Sequence, residues 1–210
     1  MKKAIITVGH EYCSGGRAIG KEVAKRLGIA YYDSEIIDEA AKTSGLSAEY
    51  IKNSEESITN SFLYNIVMNA GYAASYFGTS KETLPLDTQV YLAQQEAILK
   101  FAQESCVIVG RCADYVLKDE ENLFRCFIYA SMESRMQRIK EQGSNKDEVK
   151  KLLYQMDKKR SQHYNTYTDQ IWGARDSYDL MINSSVLGIE GACNLILKGL
   201  ECRDVVLCKH

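Results

Sequence analysis

Residues Ile5-Ile6-Thr7-Val8-Gly9 form an apolar, partly β-branched run that breaks into Cys13-Ser14-Gly15-Gly16 and restarts with helical periodicity from Arg17. A buried strand feeding a helix through a glycine turn commits the chain to a β–α unit. Gly15 and Gly16 lack a Cβ, so the backbone can take positive φ and turn its N–H groups toward one point. The following helix adds the positive end of its dipole. The run reads as a phosphate-binding loop whose contacts are Cys13, Ser14, Gly15, Gly16, Arg17 and Ala18. Against the signature G-x-x-x-x-G-K-[ST], Arg17 stands where lysine is expected and Ala18 where the Mg²⁺-binding hydroxyl is expected. A tight β–α turn without a ligand is the plain alternative.

Further short apolar runs at 30–32, 107–109, 124–129 and 180–182 join the first at 4–8, with helical patterns at 17–27, 87–103, 131–141, 147–163 and 186–200. Strands alternating with helices predict an α/β fold with a parallel sheet and right-handed crossovers. The first helix should stop at Gly28, a C′ glycine. Two segments interrupt the alternation: 34–86, polar and Tyr-rich with short helical pieces, and about 140–178, dense in Lys, Arg, Gln and Tyr. In nucleotide kinases such insertions are the acceptor-binding region and the lid, both of which close over substrates. The stretch 78–85 gathers Gly, Ser, Thr and the only proline, and reads as a flexible loop.

The chain of 210 residues fits one domain, 1–210, carrying those two insertions. A net charge of -2 gives no sign of a nucleic-acid or membrane surface, so anion-binding cations must be clustered locally. No apolar stretch is long enough to span a bilayer. Seven cysteines without a C-x-x-C pair are read as reduced thiols, and a cytoplasmic location follows as the expectation. Cysteines and the three histidines show no finger-like spacing, so zinc is not expected.

Phosphoryl transfer asks for cations and N–H dipoles around oxygens held in line, which directs attention to arginines after strands. Arg17 opens the first helix and Arg111 follows the third strand in Gly110-Arg111-Cys112-Ala113-Asp114. Arg135, Arg138 and Arg160 flank the lid. Ligands of open α/β sheets bind beyond the carboxyl ends of the strands, where this reading puts Arg17 and Arg111. The alternatives are an Arg111–Asp114 surface pair and an Arg160 lost on a solvated helical face. Asp33 after the second strand could orient an acceptor or cap the next helix. Trp172, Tyr164, Tyr167 and Tyr178 could wall a base or pack the lid.

With these residues in view, the chain resembles the cytidylate kinase-like family. The resemblance rests on Ser14-Gly15-Gly16-Arg17-x-Ile19-Gly20, Tyr32-Asp33, Val107 through Leu117, Asp157-Lys158-Lys159-Arg160 with Tyr164, Trp172-Gly173, Tyr178-Asp179-Leu180 and Ile182-Asn183-x-x-x-Leu187-Gly188. It implies a P-loop NTPase-type three-layer α/β/α fold with a five-stranded parallel sheet, ATP phosphates at 13–18 and Mg²⁺. The reaction implied is phosphoryl transfer to a small acceptor, most simply a nucleoside monophosphate such as CMP. A nucleotide-binding regulatory module of the same fold is the competing reading. Arg17, Arg111 and Arg160 would be catalytic, Asp33, Arg111, Asp114 and Arg138 would bind the acceptor, and Ser14 would hold the metal. The implied partner is a small-molecule nucleotide, with no nucleic acid or membrane and a homo-oligomer left open. Cys112 stands where a cytosine-reading aspartate follows the arginine in cytidylate kinases, with Asp114 two residues on.

Overall fold

The computed structural model describes residues 3–54, 84–140 and 146–203. The predicted flexible loop at 78–85 lies almost wholly outside them, as do most of the first insertion beyond 54, the entry to the lid at 141–145, and Cys208 and His210. Five strands are present, β1 (Ile5–His10), β2 (Ala30–Tyr32), β3 (Cys106–Val109), β4 (Leu123–Tyr129) and β5 (Leu180–Asn183). They pair in the order β2-β3-β1-β4-β5, every pair parallel. The central position of β1 explains its apolar run: Ile5, Ile6 and Val8 are fully buried because both faces of a parallel sheet are covered by helices.

The helices are α1 (Gly16–Leu27), α2 (Glu35–Ser44), α3 (Ala48–Ser54), α4 (Leu86–Phe101), α5 (Ala113–Val116), α6 (Met132–Lys140), α7 (Lys146–Tyr167) and α8 (Ser184–Cys202). On one face Ile6 and Val8 meet Ile19 and Val23 of α1 together with Ala192, Cys193 and Ile196 of α8. On the other, Ile5 and Ile108 meet Ile36, Ala97, Ile98, Ala113 and Leu117. This is the expected three-layer α/β/α sandwich. Fully burying one such aliphatic side chain contributes about 1.5–3 kcal/mol, so the two clusters supply most of the driving force.

Several boundaries depart from the sequence reading. β1 runs two residues further, to His10, because β4 pairs with it as far as Ile128. α7 extends to Tyr167, where Tyr164 and Tyr167 are buried with Tyr91 and Cys112. Packing thus prolongs a helix whose periodicity fades at 163. α8 starts at Ser184 behind Asn183, whose side chain accepts from Ser185 N, and breaks at Gly188. The four-residue α5 had no sequence signal of its own. Gly28 ends α1 as predicted. The described cysteines are all free thiols, and among the described residues no helix is long and apolar enough to cross a membrane.

Candidate functional site

The loop between β1 and α1 is held from outside. Arg160 NH1 donates to the His10 carbonyl at 2.8 Å, Arg135 Nε to that of Tyr12 at 2.8 Å and Arg138 NH1 to that of Cys13 at 3.0 Å. Ser184 Oγ donates to the Ser14 carbonyl at 2.5 Å. Asp157 accepts from Tyr12 N at 2.7 Å and pairs with Arg135, which also reaches Glu11 at 3.0 Å. Carbonyls are therefore turned outward into side-chain donors. The amides of Gly16, Arg17 and Ala18, first in α1, have no acceptor within the helix, and Gly15 brings no side-chain cap. The Arg138 guanidinium lies 3.7 Å from where a Gly15 Cβ would be. Free amides beside a guanidinium fit a polyphosphate.

The helix start admits a second register beside the one with Arg17 at the lysine position. Gly15, with φ 91°, is the last residue of the loop and Gly16 the first of α1. A register with Gly15 as the glycine before the signature's lysine would put Gly16 at the lysine position and Arg17 at the hydroxyl position. Ser14 also departs from expectation. Its hydroxyl is fully buried and donates to the Ile128 carbonyl at 3.0 Å, so a cation could reach its lone pairs only if the loop opened around it. No group of three His, Cys, Asp or Glu among the described residues is arranged to hold a metal ion.

Beyond the strand ends lies a cavity of about 730 Å³. It runs from His10 and Arg17 past Asp33 and Arg111 to Asp114, Tyr164, Trp172 and Tyr178, with Lys52, Lys159 and His163 on its walls. At its centre two arginines share one carboxylate. Arg17 Nε donates to Asp33 Oδ2 at 2.9 Å, and Arg111 NH1 to Asp33 Oδ1 at 3.1 Å. The Asp33 side chain is thus committed to the site and not to capping. α2 begins one residue later behind Ser34, and Glu35 accepts from Asp33 N. Arg111 pairs with Asp33, not with Asp114 as the surface alternative had it. Its placement costs backbone strain, because Gly110, Arg111 and Cys112 all lie in the left-handed region at φ 70°, 55° and 56°. Glycine takes that conformation freely, while each L side chain there costs about 1–2 kcal/mol. Strain of this kind persists where the surrounding structure over-determines it.

Asp114 is buried and accepts from the Tyr164 hydroxyl at 2.6 Å. Burial raises its carboxyl above the usual range, against the opposing pull of that hydrogen bond. The Tyr178 hydroxyl, also buried, makes no hydrogen bond of good geometry. Burial and nearby arginines lower His10 to about 3 and His163 to about 4, so both are neutral in the cavity at ordinary pH. Arg160 is half-buried over the Tyr12 ring and not on a solvated face. Arg138, expected at the acceptor, sits at the loop and is not among the residues lining the cavity.

The sequence profile of the cytidylate kinase-like family matches residues 5–186. The chain belongs to that family. Membership carries kinase-type phosphotransfer and nucleotide use with it. This cytidylate kinase-like protein is also similar to solved structures over nearly its whole length. A crystal structure of an uncharacterized protein from Eubacterium ventriosum ATCC 27560 superposes with a TM-score of 0.70 at 25% identity, covering 95% of this chain and 99% of that one. A sugar kinase from Janibacter sp. HTCC2649 gives 0.55 at 12% identity, covering 100% of each chain. Shikimate kinase from Bacteroides thetaiotaomicron gives 0.52 at 14% identity, over 94% of this chain and 98% of that one. The last two establish a shared fold. No curated protein matches the sequence significantly.

Sequence reasoning found Arg17, Asp33, Arg111, Asp114 and Arg160, which the fold brings to one cavity, and Cys13 to Ala18, which it sets beside that cavity. It gave no role to Arg135, Asp157 or Ser184, which shape the loop, nor to His10 at the cavity mouth. The signal for His10 was its place at the end of the first strand, beside the glycine turn.

Proposed function

We propose that this protein transfers the γ-phosphoryl group of ATP to a small acceptor, most simply a nucleoside monophosphate such as CMP. The observation that carries the reading is the continuity of the 730 Å³ cavity with the phosphate loop, through His10 and Arg17. The amides of Gly15, Gly16, Arg17 and Ala18, with Arg138 above them, would bind the ATP phosphates. Arg17 and Arg111 would exchange Asp33 for the acceptor's anionic group, and Arg160 would neutralise charge on the transferring oxygens. Such positioning and charge stabilisation is nearly all that phosphoryl transfer requires. Asp114 and Tyr178 supply buried polar atoms to the cavity lining, which Trp172 shares, and this suits a planar base. Mg²⁺ would arrive with ATP and be held mainly by the nucleotide and water, which the burial of the Ser14 hydroxyl favours.

Purified protein incubated with MgATP and each nucleoside monophosphate should release ADP with formation of the phosphorylated acceptor, CMP giving the highest kcat/KM. Absence of turnover with every nucleoside monophosphate would remove the acceptor assignment. A nucleotide-binding regulatory module is the second reading, favoured by one observation: the loop carries neither a lysine at 16 nor an accessible hydroxyl at 14. Tight ATP binding by calorimetry without turnover of any acceptor would select it.

A further inference from the structure

Gly16 leaves out a side chain for a specific reason. A Cβ built there would sit 2.4 Å from His10 Cβ and 2.5 Å from its Cγ, far inside contact distance. The imidazole therefore fills the space from which a lysine at position 16 would leave the helix. His10 is at the end of β1, packs on the first residue of α1 and lines the cavity with Arg17, Arg111 and Arg160. It stands where loop and cavity meet, on the path of any group passing from one to the other. In this chain a side chain at 16 and the imidazole at 10 exclude one another.

We propose that His10 is the group this loop presents to the transferred phosphoryl in place of a lysine, taking up a proton as the anion arrives and donating from Nε2. The inference rests on the reading of 13–18 as a phosphate site. His10 Nδ1 lies 2.9 Å from the Glu11 carbonyl; in the tautomer that donates there, Nε2 is the nitrogen without a proton, whereas the other tautomer would accept from Arg160 NH1 at Nδ1. Burial is the largest influence keeping the ring neutral, and the charged groups facing it, Arg160 from α7, Arg17 from α1 and Arg111 from the loop after β3, add to it, so the arriving anion must both offset these cations and give the buried ring an anionic partner. Arg160 NH1 is 3.1 Å from Nδ1. A phosphate bound among these cations cancels their field at the ring. The imidazole then takes one proton from solvent at Nε2, and both nitrogens donate, Nδ1 to Glu11 and Nε2 to a phosphoryl oxygen. No bond to phosphorus forms or breaks in this step.

The test follows the imidazole nitrogens of His10 by NMR in the full chain between pH 5 and 8, free and saturated with tripolyphosphate, and measures tripolyphosphate binding by calorimetry in two buffers of different ionisation enthalpy. Expected are a neutral ring without the anion, a protonated one with it, and uptake of about one proton per anion bound. Tripolyphosphate binding with His10 still neutral at pH 5.5 would overturn the role and leave the phosphate site standing. Failure of tripolyphosphate to bind would overturn both. His10→Asn should lower kcat for the proposed transfer by about 10²-fold, the usual effect of losing one preorganised donor, and abolish proton uptake with the melting temperature retained. The paired change His10→Gly with Gly16→Lys should restore tripolyphosphate affinity to within about threefold and make it independent of pH in this range, a factor worth under 1 kcal/mol. Gly16→Lys with His10 in place should bind far more weakly. Proton uptake persisting in His10→Asn, or no recovery in the folded pair, would refute the exchange.

Discussion

In the phosphate loop the carbonyls of His10, Tyr12, Cys13 and Ser14 are each met by a side chain reaching in from α6, α7 or α8, whereas in the cavity the charged groups meet one another. The first arrangement fixes a backbone and leaves its amides directed elsewhere. The second is a set of exchangeable pairs, in which Asp33 holds Arg17 and Arg111 until another anion competes. A rigid frame beside a replaceable ion cluster is what preorganised binding of one phosphate and selective capture of a second would need.

Breaking the frame should cost most. Arg135 is buried and satisfies Tyr12, Glu11 and Asp157 at once. Arg135→Ala strands two carboxylates and should destabilise the fold by about 3–5 kcal/mol, read from the urea midpoint. A loss under 1 kcal/mol would mean that the frame is not held from α6. The strained loop after β3 gives a smaller effect with opposite signs in stability and function. Arg111→Gly and Arg111→Ala both remove the guanidinium and should raise the acceptor KM at least tenfold. The glycine variant should nevertheless be the more stable of the two by about 1 kcal/mol, because only glycine takes φ 55° without cost. Equal stability of the two would show that the left-handed turn carries no strain.

The smallest effect concerns the cavity floor and is read through pH. Burial raises the Asp114 carboxyl, so the native chain keeps that proton to higher pH than the unfolded chain. Its contribution to stability is present at low pH and lost as pH rises from about 3.9, the ordinary carboxyl value, through the folded value. Asp114→Asn keeps an oxygen for the Tyr164 hydroxyl and does not titrate. Its stability relative to the parent should therefore rise with pH through that window and level off above it, in denaturation series from pH 3.5 to 8. A difference flat with pH would mean that Asp114 is not desolvated.

The contrast also explains which parts of the site were legible. Asp33, Arg111 and Asp114 stand at or just after strand ends, and strands announce themselves by apolar runs, so topology alone carries these residues to one edge. Arg135 and Asp157 lie on helices 22 residues apart with ordinary surface-like surroundings in sequence. Nothing local distinguishes an arginine that turns inward to a loop carbonyl from one that faces water. The register of the loop is open to two readings for a related reason. Two adjacent glycines can each end it.

The succession of strands along the chain, the parallel sheet and the glycine turn before α1 were determined by the sequence itself, because periodicity and Cβ-less residues act on their own neighbours. The tertiary structure alone decided that Ser14 bonds to β4, that Gly16 yields its space to His10, and that Asp33 is shared by Arg17 and Arg111. Each of these depends on distances between residues 14 and 128, 10 and 16, or 33 and 111. Such distances are set when the whole core packs and not by any local pattern.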